Sequence, residues 1–426
     1  MDANNLSGKK LLILAGNAPH VKVVEAAKSM GIYTIVTDYL SPAESPAKQV
    51  ADEYWMLSYG DVETLVSKCR ENNVDGVLAC YHESALVPYY HICKQLNVPC
   101  YGDLDQFEKL TNKKSFKALC EENGIHTIPE YTVAEAETGN IVFPVMVKPE
   151  ESCGSKGIYI CNTQDELLQA IPEAKRASRS GEIIIERYIK GKNSFQVTFF
   201  FVNGEPYVIR TVDGYKGSVE DQLDRVALCS VSPSVYTQVY LDNTNTVFTN
   251  MLKKIGVLNG PVMVQGFYDD GVFRFYDPGR RFPGTDFEVV YNDLFGINLM
   301  KMMVTFALTG AMPSEEIKNE NVFLNGKQAI VLFPTLCKGT VGEVTGFETL
   351  NKDMRIRNVC QKHTAGAVID KMNVASQRIF EVNFISDSVE ESKKMINYIQ
   401  ETITAKDTNG KNMIYKPFDV NRLQEN

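Results

Sequence analysis

The chain is most easily approached through what it lacks. Its 426 residues carry a formal net charge of −9 and no block of Lys or Arg, so no positive face is offered to a nucleic-acid backbone. The longest apolar runs, such as "VTFFFV" at 197–202, are strand-sized and far short of the roughly 20 residues that span a bilayer. The opening "MDANNLSGKK" has no apolar stretch of the signal-peptide kind. Ten cysteines are scattered without a C-x-x-C pair, and five histidines show no metal-ligand spacing, which argues against a zinc site or a disulfide scaffold. The cysteines read as reduced core residues of a cytoplasmic protein. Internal repeats and low-complexity linkers are also missing. A soluble protein without nucleic-acid or membrane partners is expected.

What is present is an ordinary globular composition, 44% apolar and 23% charged, over a length that exceeds one small core. "KKLLILAG", "VKVVEAAKSMG" and "IYTIVTDY" read as strand, amphipathic helix and strand. The alternation continues through "VETLVSKCREN", "GVLAC", "LVPYYHICKQL" and "VPCYG". This predicts a parallel, doubly wound sheet over about residues 8–105, with ligands at the carboxyl ends of its strands. That edge holds "GNAPH" (16–20), Asp38 and "YHES" (81–84). Asp38 lies about twenty residues beyond the first turn, but that turn lacks G-x-G-x-x-G, which argues against a dinucleotide site. Asp38 and His82 read equally well as polar strand-end residues.

From about 140 to 310 the texture becomes α+β and mostly antiparallel, with hairpin signals at Asn203-Gly204 and Asp270-Gly271. One helix near "NDLFGINLMKMMVTFALTG" closes this region. The tail, 311–426, adds short strands and the helix "VEESKKMINYIQETI".

Four features of the middle region carry chemistry. In "VMVKPEESCGSKGI", Lys148 ends an apolar strand, and the small residues that follow can cradle phosphate oxygens with successive N–H groups. The Walker A spacing is absent. In "EIIIERYIKGKN" a strand ends at Glu186, either an acceptor for an adenine amino group or an exposed terminal acid. Lys113 in "LTNKKSFK" taken alone is a solvated lysine. In "VQGFYDDGVFRFYDPGRRFPG", Gln265 and Asp277 lie on two strands joined by a tight turn. Antiparallel pairing would set them side by side as oxygen ligands suited to Mg²⁺.

Taken in order, Lys113, the Lys148 strand and its loop, Glu186 and the Gln265/Asp277 hairpin resemble the ATP-grasp superfamily, in its carboxylate–amine ligase branch. Carbamoyl phosphate synthases, L-amino acid ligases and biotin carboxylases belong to the same architecture. The resemblance implies a Rossmann-like domain over 1–105, a two-lobed ATP-grasp domain over 106–310 with ATP and Mg²⁺ between its lobes, and a carboxy-terminal lobe over 311–426. It implies that Lys113 and Lys148 hold ATP phosphates and that Ser152, Gly154, Ser155, Lys156 and Gly157 belong to a loop closing over them. Glu186 with Arg187, Tyr188 and Ile189 would form the adenine hinge, and Gln265 with Asp277 would hold metal. Asn193 stands where many members have a ribose-binding Glu, and "YDPGRRFPG" sets Asp277 where a Glu is usual. Arg281 matches the family arginine and would meet the substrate carboxylate or its acylphosphate, with Lys156 stabilising the transferring phosphoryl group. Arg280 reads as a structural ion-pair residue, and Tyr215 and Lys216 sit in a polar segment, 213–222, on the substrate side. The implied activity joins a small-molecule carboxylate to an amine with release of ADP and phosphate, in a possible homodimer. The alternatives are an ATP-binding module without catalysis and a kinase that releases a phosphorylated acid.

Overall fold

The computed structural model describes residues 6–149, 158–178, 180–191, 193–218, 220–221, 223–285, 287–313 and 317–424. The expected phosphate loop, with Ser152, Gly154, Ser155, Lys156 and Gly157, lies outside the described residues.

The amino-terminal region builds the expected parallel sheet, in the order Glu53–Trp55, Tyr33–Thr37, Lys10–Leu14, Gly76–Leu78. Its strands are almost wholly apolar because helices cover them. Helix Val21–Ser29 packs against helix Leu299–Thr309, and helix Val62–Glu71 against helix Leu86–Leu96. Two expectations are corrected here. "VPCYG" is not a strand: the chain leaves the preceding helix through Asn97 in the left-handed conformation, and Pro99 has no N–H to give a ladder. The single helix expected over "NDLFGINLMKMMVTFALTG" is two, Phe287–Phe295 and Leu299–Thr309. The break falls at Gly296, at a φ of 70°, and Asn298 caps the second helix. That second helix belongs to the core of the first sheet. A Cβ on Gly76 would stand 2.5 Å from the Ala307 carbonyl oxygen, so the helix approaches the strand as closely as glycine permits.

A small antiparallel sheet follows, in the order Glu130–Tyr131, Ile183–Arg187, Val145–Pro149, Tyr159–Cys161. Val145, Val147 and Ile185 pack under helix Gln164–Ala177, so period-2 alternation turns Met146, Lys148 and Glu186 to the opposite face.

The third sheet has eight antiparallel strands, in the order Val272–Gly279, Gly260–Asp269, Ser194–Val202, Glu205–Lys216, Ala227–Ser232, Gln328–Leu332, Phe380–Ser386, Ile356–Gln361. It crosses residue 310, since Ser232 pairs with Ala329 and tail strands continue the same sheet. The turns at Asn203-Gly204 and Asp270-Gly271 have positive φ at both residues, as tight hairpins require. Phe199, Phe273 and Phe275 lie on the face covered by helices Lys113–Glu122 and Asn245–Lys254, where Phe199 stacks on Phe248 and Phe275 meets Phe248 edge-on. Each such ring stabilises the fold by roughly 1.5–3 kcal/mol on burial. Helix Val389–Thr402 completes a separate apolar core in the tail. Among the described residues, no helix is long and apolar enough to cross a membrane.

Candidate functional site

Between the small sheet and the long sheet lies a cavity of about 490 Å³. Lys113, Lys148, Glu186, Arg187, Tyr188, Ile189 and Asn193 all line it, so residues scattered over eighty positions meet in one cleft. Seven cationic side chains and three carboxylates line it, a surplus that favours a polyanion.

On the small-sheet side, the Lys148 ammonium and the Glu186 carboxylate are 2.6 Å apart, paired across neighbouring strands. After Glu186 the chain leaves the ladder, with the Arg187 N–H on Pro129 O at 2.9 Å and the Tyr188 N–H on Pro144 O at 2.8 Å. The Arg187 side chain turns to Asp269 and Asp270, at 3.1 and 2.9 Å, tying the small sheet to the hairpin turn of the long one. The Tyr188 hydroxyl donates to Asp224 at 2.6 Å, and Asn373 donates to the same carboxylate at 2.8 Å, which ties the hinge to the tail.

On the long-sheet side, Gln265 and Asp277 are register partners. Regular alternation would put Asp277 on the same face as Phe273 and Phe275, under the helices. A β-bulge at Tyr276 prevents this: Gly266 pairs with Phe275 and Gln265 with Asp277, leaving Tyr276 as the extra residue. The bulge turns Asp277 onto the cleft face, and Gly266 allows it, since a Cβ there would meet the Arg274 carbonyl oxygen at 2.6 Å. The Tyr276 hydroxyl donates to Gln265 Oε1 at 3.2 Å, and Lys113 lies 3.0 Å from Asp277. Among the described residues, no three His, Cys, Asp or Glu side chains cluster as a self-sufficient metal cage.

Sequence reasoning missed the floor of this cleft. Phe267 and Tyr276 are stacked, with ring centroids 5.4 Å apart and planes at 20°. The Lys216 ammonium stands 4.7 Å over the Phe267 ring, and burial lowers its pKa. The signal was available, because Phe267 is two residues from Gln265 on the same strand face. Tyr215, by contrast, points into the tail core against Phe418.

Arg281 and Arg280 part company. Arg280 is fully buried and donates to the carbonyl oxygens of Pro261, Tyr101 and Asn259 at 2.6–2.7 Å, a structural role. Its partners are backbone carbonyls; the expected carboxylate is not among the bonds it makes. Arg281 reaches the amino-terminal domain, with Nε 3.3 Å from Glu83 Oε2. The Phe282 N–H donates to Cys80 O at 3.0 Å, so the chain after Asp277 docks at the carboxyl ends of the parallel strands. Gly284 comes against Pro19 of the first turn. Asp38 lies behind this edge, buried and paired with Lys48 at 2.7 Å and with the Ser45 hydroxyl, so it is structural. His20 is buried beside Tyr81 and His82, and burial pushes its pKa down to about 3.

Residues 141–272 match the family model described as "ATP-grasp domain", from the strand before Lys148 to the turn before Asp277. Biotin carboxylase 1 of Bacillus subtilis is 24% identical over 289 residues, 63% of this chain and 63% of the relative's own length. The L-amino acid ligase of Bacillus licheniformis superposes with a TM-score of 0.73 at 19% identity, over 96% of this chain and 99% of that one. The biotin carboxylase domain of the Hydrogenobacter thermophilus 2-oxoglutarate carboxylase, solved as a dimer with MgADP and bicarbonate, superposes with a TM-score of 0.72 at 18% identity. That match covers 95% of this chain and 91% of that one. The family match supplies much of the cleft wall: residues 141–272 are similar to an ATP-grasp domain, and the chain as a whole shares the fold of the L-amino acid ligase and of the biotin carboxylase domain.

Proposed function

We propose that the protein is an ATP-dependent ligase that activates a small-molecule carboxylate as an acylphosphate and joins it to an amine. The observation that carries this reading is the continuity of one cleft. It runs from the Glu186–Ile189 hinge past Lys148 to Lys113, whose ammonium meets Asp277, and Arg281 follows four residues later at the amino-terminal edge. A nucleotide laid along it has its base at the hinge and its γ-phosphate at the Arg281 end. The acid oxygen attacks the γ-phosphorus as the bond to ADP breaks. The amine nitrogen then attacks the acyl carbon, phosphate leaves, and the amine gives up a proton. Lys113, Lys148 and, from the loop, Lys156 neutralise the phosphoryl oxygens, so the enzyme positions charge and forms no covalent bond of its own.

Magnesium fits the residues present. Asp277 and the Gln265 amide are hard oxygen donors side by side, too few for a protein cage but suited to an ion that keeps water and phosphate ligands. Held by Asp277 and Gln265, the ion would supply positive charge against the phosphates. The base would rest on the Phe267 and Tyr276 rings, with Asn193 near the sugar.

The test is ADP release that needs ATP, an acid and an amine together. ATP binding without ADP and phosphate from any acid–amine mixture would count against the ligase. A nucleotide-binding module without turnover is the second reading, favoured by the Asp277 and Asn193 departures. Calorimetry separates the two: the ligase binds ATP more tightly with Mg²⁺, and the module binds it equally with or without the ion.

A further inference from the structure

The cationic surplus of the cleft does not sit on the cations that face its acids. Lys113 meets Asp277 at 3.0 Å, Lys148 meets Glu186 at 2.6 Å, and Arg187 meets Asp269 and Asp270 at 3.1 and 2.9 Å. The unmatched charge lies on another lip, built from the carboxyl end of strand Glu205–Lys216, residues 223–225 and the end of the tail. There Lys216, Arg225 and Arg422, with Lys190 just past the hinge, line the cavity against two carboxylates, Glu220 and Asp224. Asp224 is already engaged by the Tyr188 hydroxyl and by Asn373, and Glu220 faces Lys190. Among the described residues, none of these four cations makes a salt bridge.

Arg225 is the sharpest case. Its backbone N–H donates to Asn373 Oδ1 at 2.8 Å, which fixes the residue in place, yet its guanidinium makes no bond and Nε is buried without a partner. A buried donor left unmet costs stability, so a lip that keeps one is poised for an acceptor. Arg422 donates to Lys216 O at 2.6 Å and packs on the Tyr215 and Phe418 rings, which holds its head while its other donors stay free. Two planar forks match the three oxygens and double charge of a phosphate monoester; one fork alone satisfies a carboxylate. A nucleotide laid along the cleft does not answer them, because its base and sugar are neutral and its triphosphate runs toward Lys113. We propose that Arg225 and Arg422 form a second phosphate site at this lip, taking a phosphate monoester separate from the triphosphate, with Lys216 alongside. The monoester can stand on the nucleotide's own sugar or on a second, phosphorylated ligand. The proposal rests on the reading of the cleft as a nucleotide site, and its test is a binding measurement that does not need turnover.

Two calorimetric titrations of the full-length protein test it. In the first, protein saturated with a non-hydrolysable ATP analogue and Mg²⁺, so that the triphosphate place is filled, is titrated with inorganic phosphate and with acetate. In the second, ADP is compared with ADP that carries a phosphate on its 2′ or 3′ oxygen. Phosphate should bind the loaded protein roughly ten-fold or more tightly than acetate, or the sugar phosphate should exceed plain ADP by the same factor. The first result assigns a separate ligand and the second a phosphate on the sugar. Arg225→Gln and Arg422→Gln should each remove most of that advantage, while affinity for the plain analogue changes by less than about two-fold. Arg225→Gln breaks no side-chain bond, so its thermal midpoint should match wild type, which certifies folding. Failure of both titrations, or an advantage that survives Arg225→Gln, would overturn the proposal. So would a loss of analogue affinity as large as the loss of phosphate, which would give Arg225 to the triphosphate instead. Failure of wild type to bind the analogue at all is a separate result, and it would overturn the nucleotide reading and this proposal with it.

Discussion

The cleft under the small sheet and the edge of the amino-terminal sheet adjoin each other, yet they handle charge in opposite ways. The cleft gathers cations from two sheets and from the helix and loops around them, beyond the carboxylates that face them, whereas the edge sets each partly exposed cation against an acid and keeps its histidines neutral. Surplus positive charge costs stability through self-repulsion and is relieved by a polyanion; balanced pairs cost little. The two charge patterns are joined by the five residues from Asp277 to Arg281.

The contrast is broken most strongly by charging the neutral edge. His20 has a folded pKa of about 3 against an ordinary 6.5, because burial disfavours its cation. A depressed value means that protons favour the unfolded chain. Its contribution is complete above about pH 6.5 and is lost as the pH falls toward 3, by something on the order of 4 kcal/mol. Denaturant unfolding at pH 7 and pH 4.5 should show a larger loss for wild type than for His20→Phe; equal losses would mean that His20 is not held neutral. Next in size is Lys148→Ala, which removes a phosphate partner and leaves Glu186 unpaired in the cleft. ATP affinity should fall by roughly 30- to 100-fold, about 2–3 kcal/mol, by calorimetry. An unchanged affinity would move the phosphates elsewhere.

The third measurement sharpens the junction. Asp277→Asn should remove most of the advantage that Mg²⁺ gives ATP binding, roughly ten-fold, while binding without the ion changes little. A metal effect that survives intact would put the ion on other residues. The smallest effect belongs to the floor: Phe267→Ala should weaken ATP and ADP alike by about 1 kcal/mol, since it loses base stacking and touches no phosphate. A selective loss of ATP over ADP would contradict that placement.

Much of this was legible in the chain. Alternation and period 3.6 mark the parallel sheet, Asn-Gly and Asp-Gly mark the hairpins, and the order of Lys113, Lys148, Glu186 and Asp277 marks the cleft proposed for the nucleotide. These signals are local: each depends on backbone preferences over a few residues or on one motif. The Tyr276 bulge was not legible, because "VFRFYDP" alternates as regularly as any strand, and only pairing with the strand through Gly266 reveals the extra residue. Lys113 and Lys148 gave no hint of their acid partners, which come from a distant hairpin and a neighbouring strand. Helix Leu299–Thr309 reads as the end of the middle region, yet its apolar faces fit the first sheet best, where Gly76 leaves room for it.

The division follows from range. Turns, caps and strand periodicity are decided by neighbours along the chain, so the sequence by itself determined the classes of element, their order and the chemistry available to the site. Which face Asp277 presents, which acid meets Arg281 and which charges are left over depend on contacts between residues scores of positions apart. Those are settled only when burial and register fix the partners, and tertiary structure alone decided them.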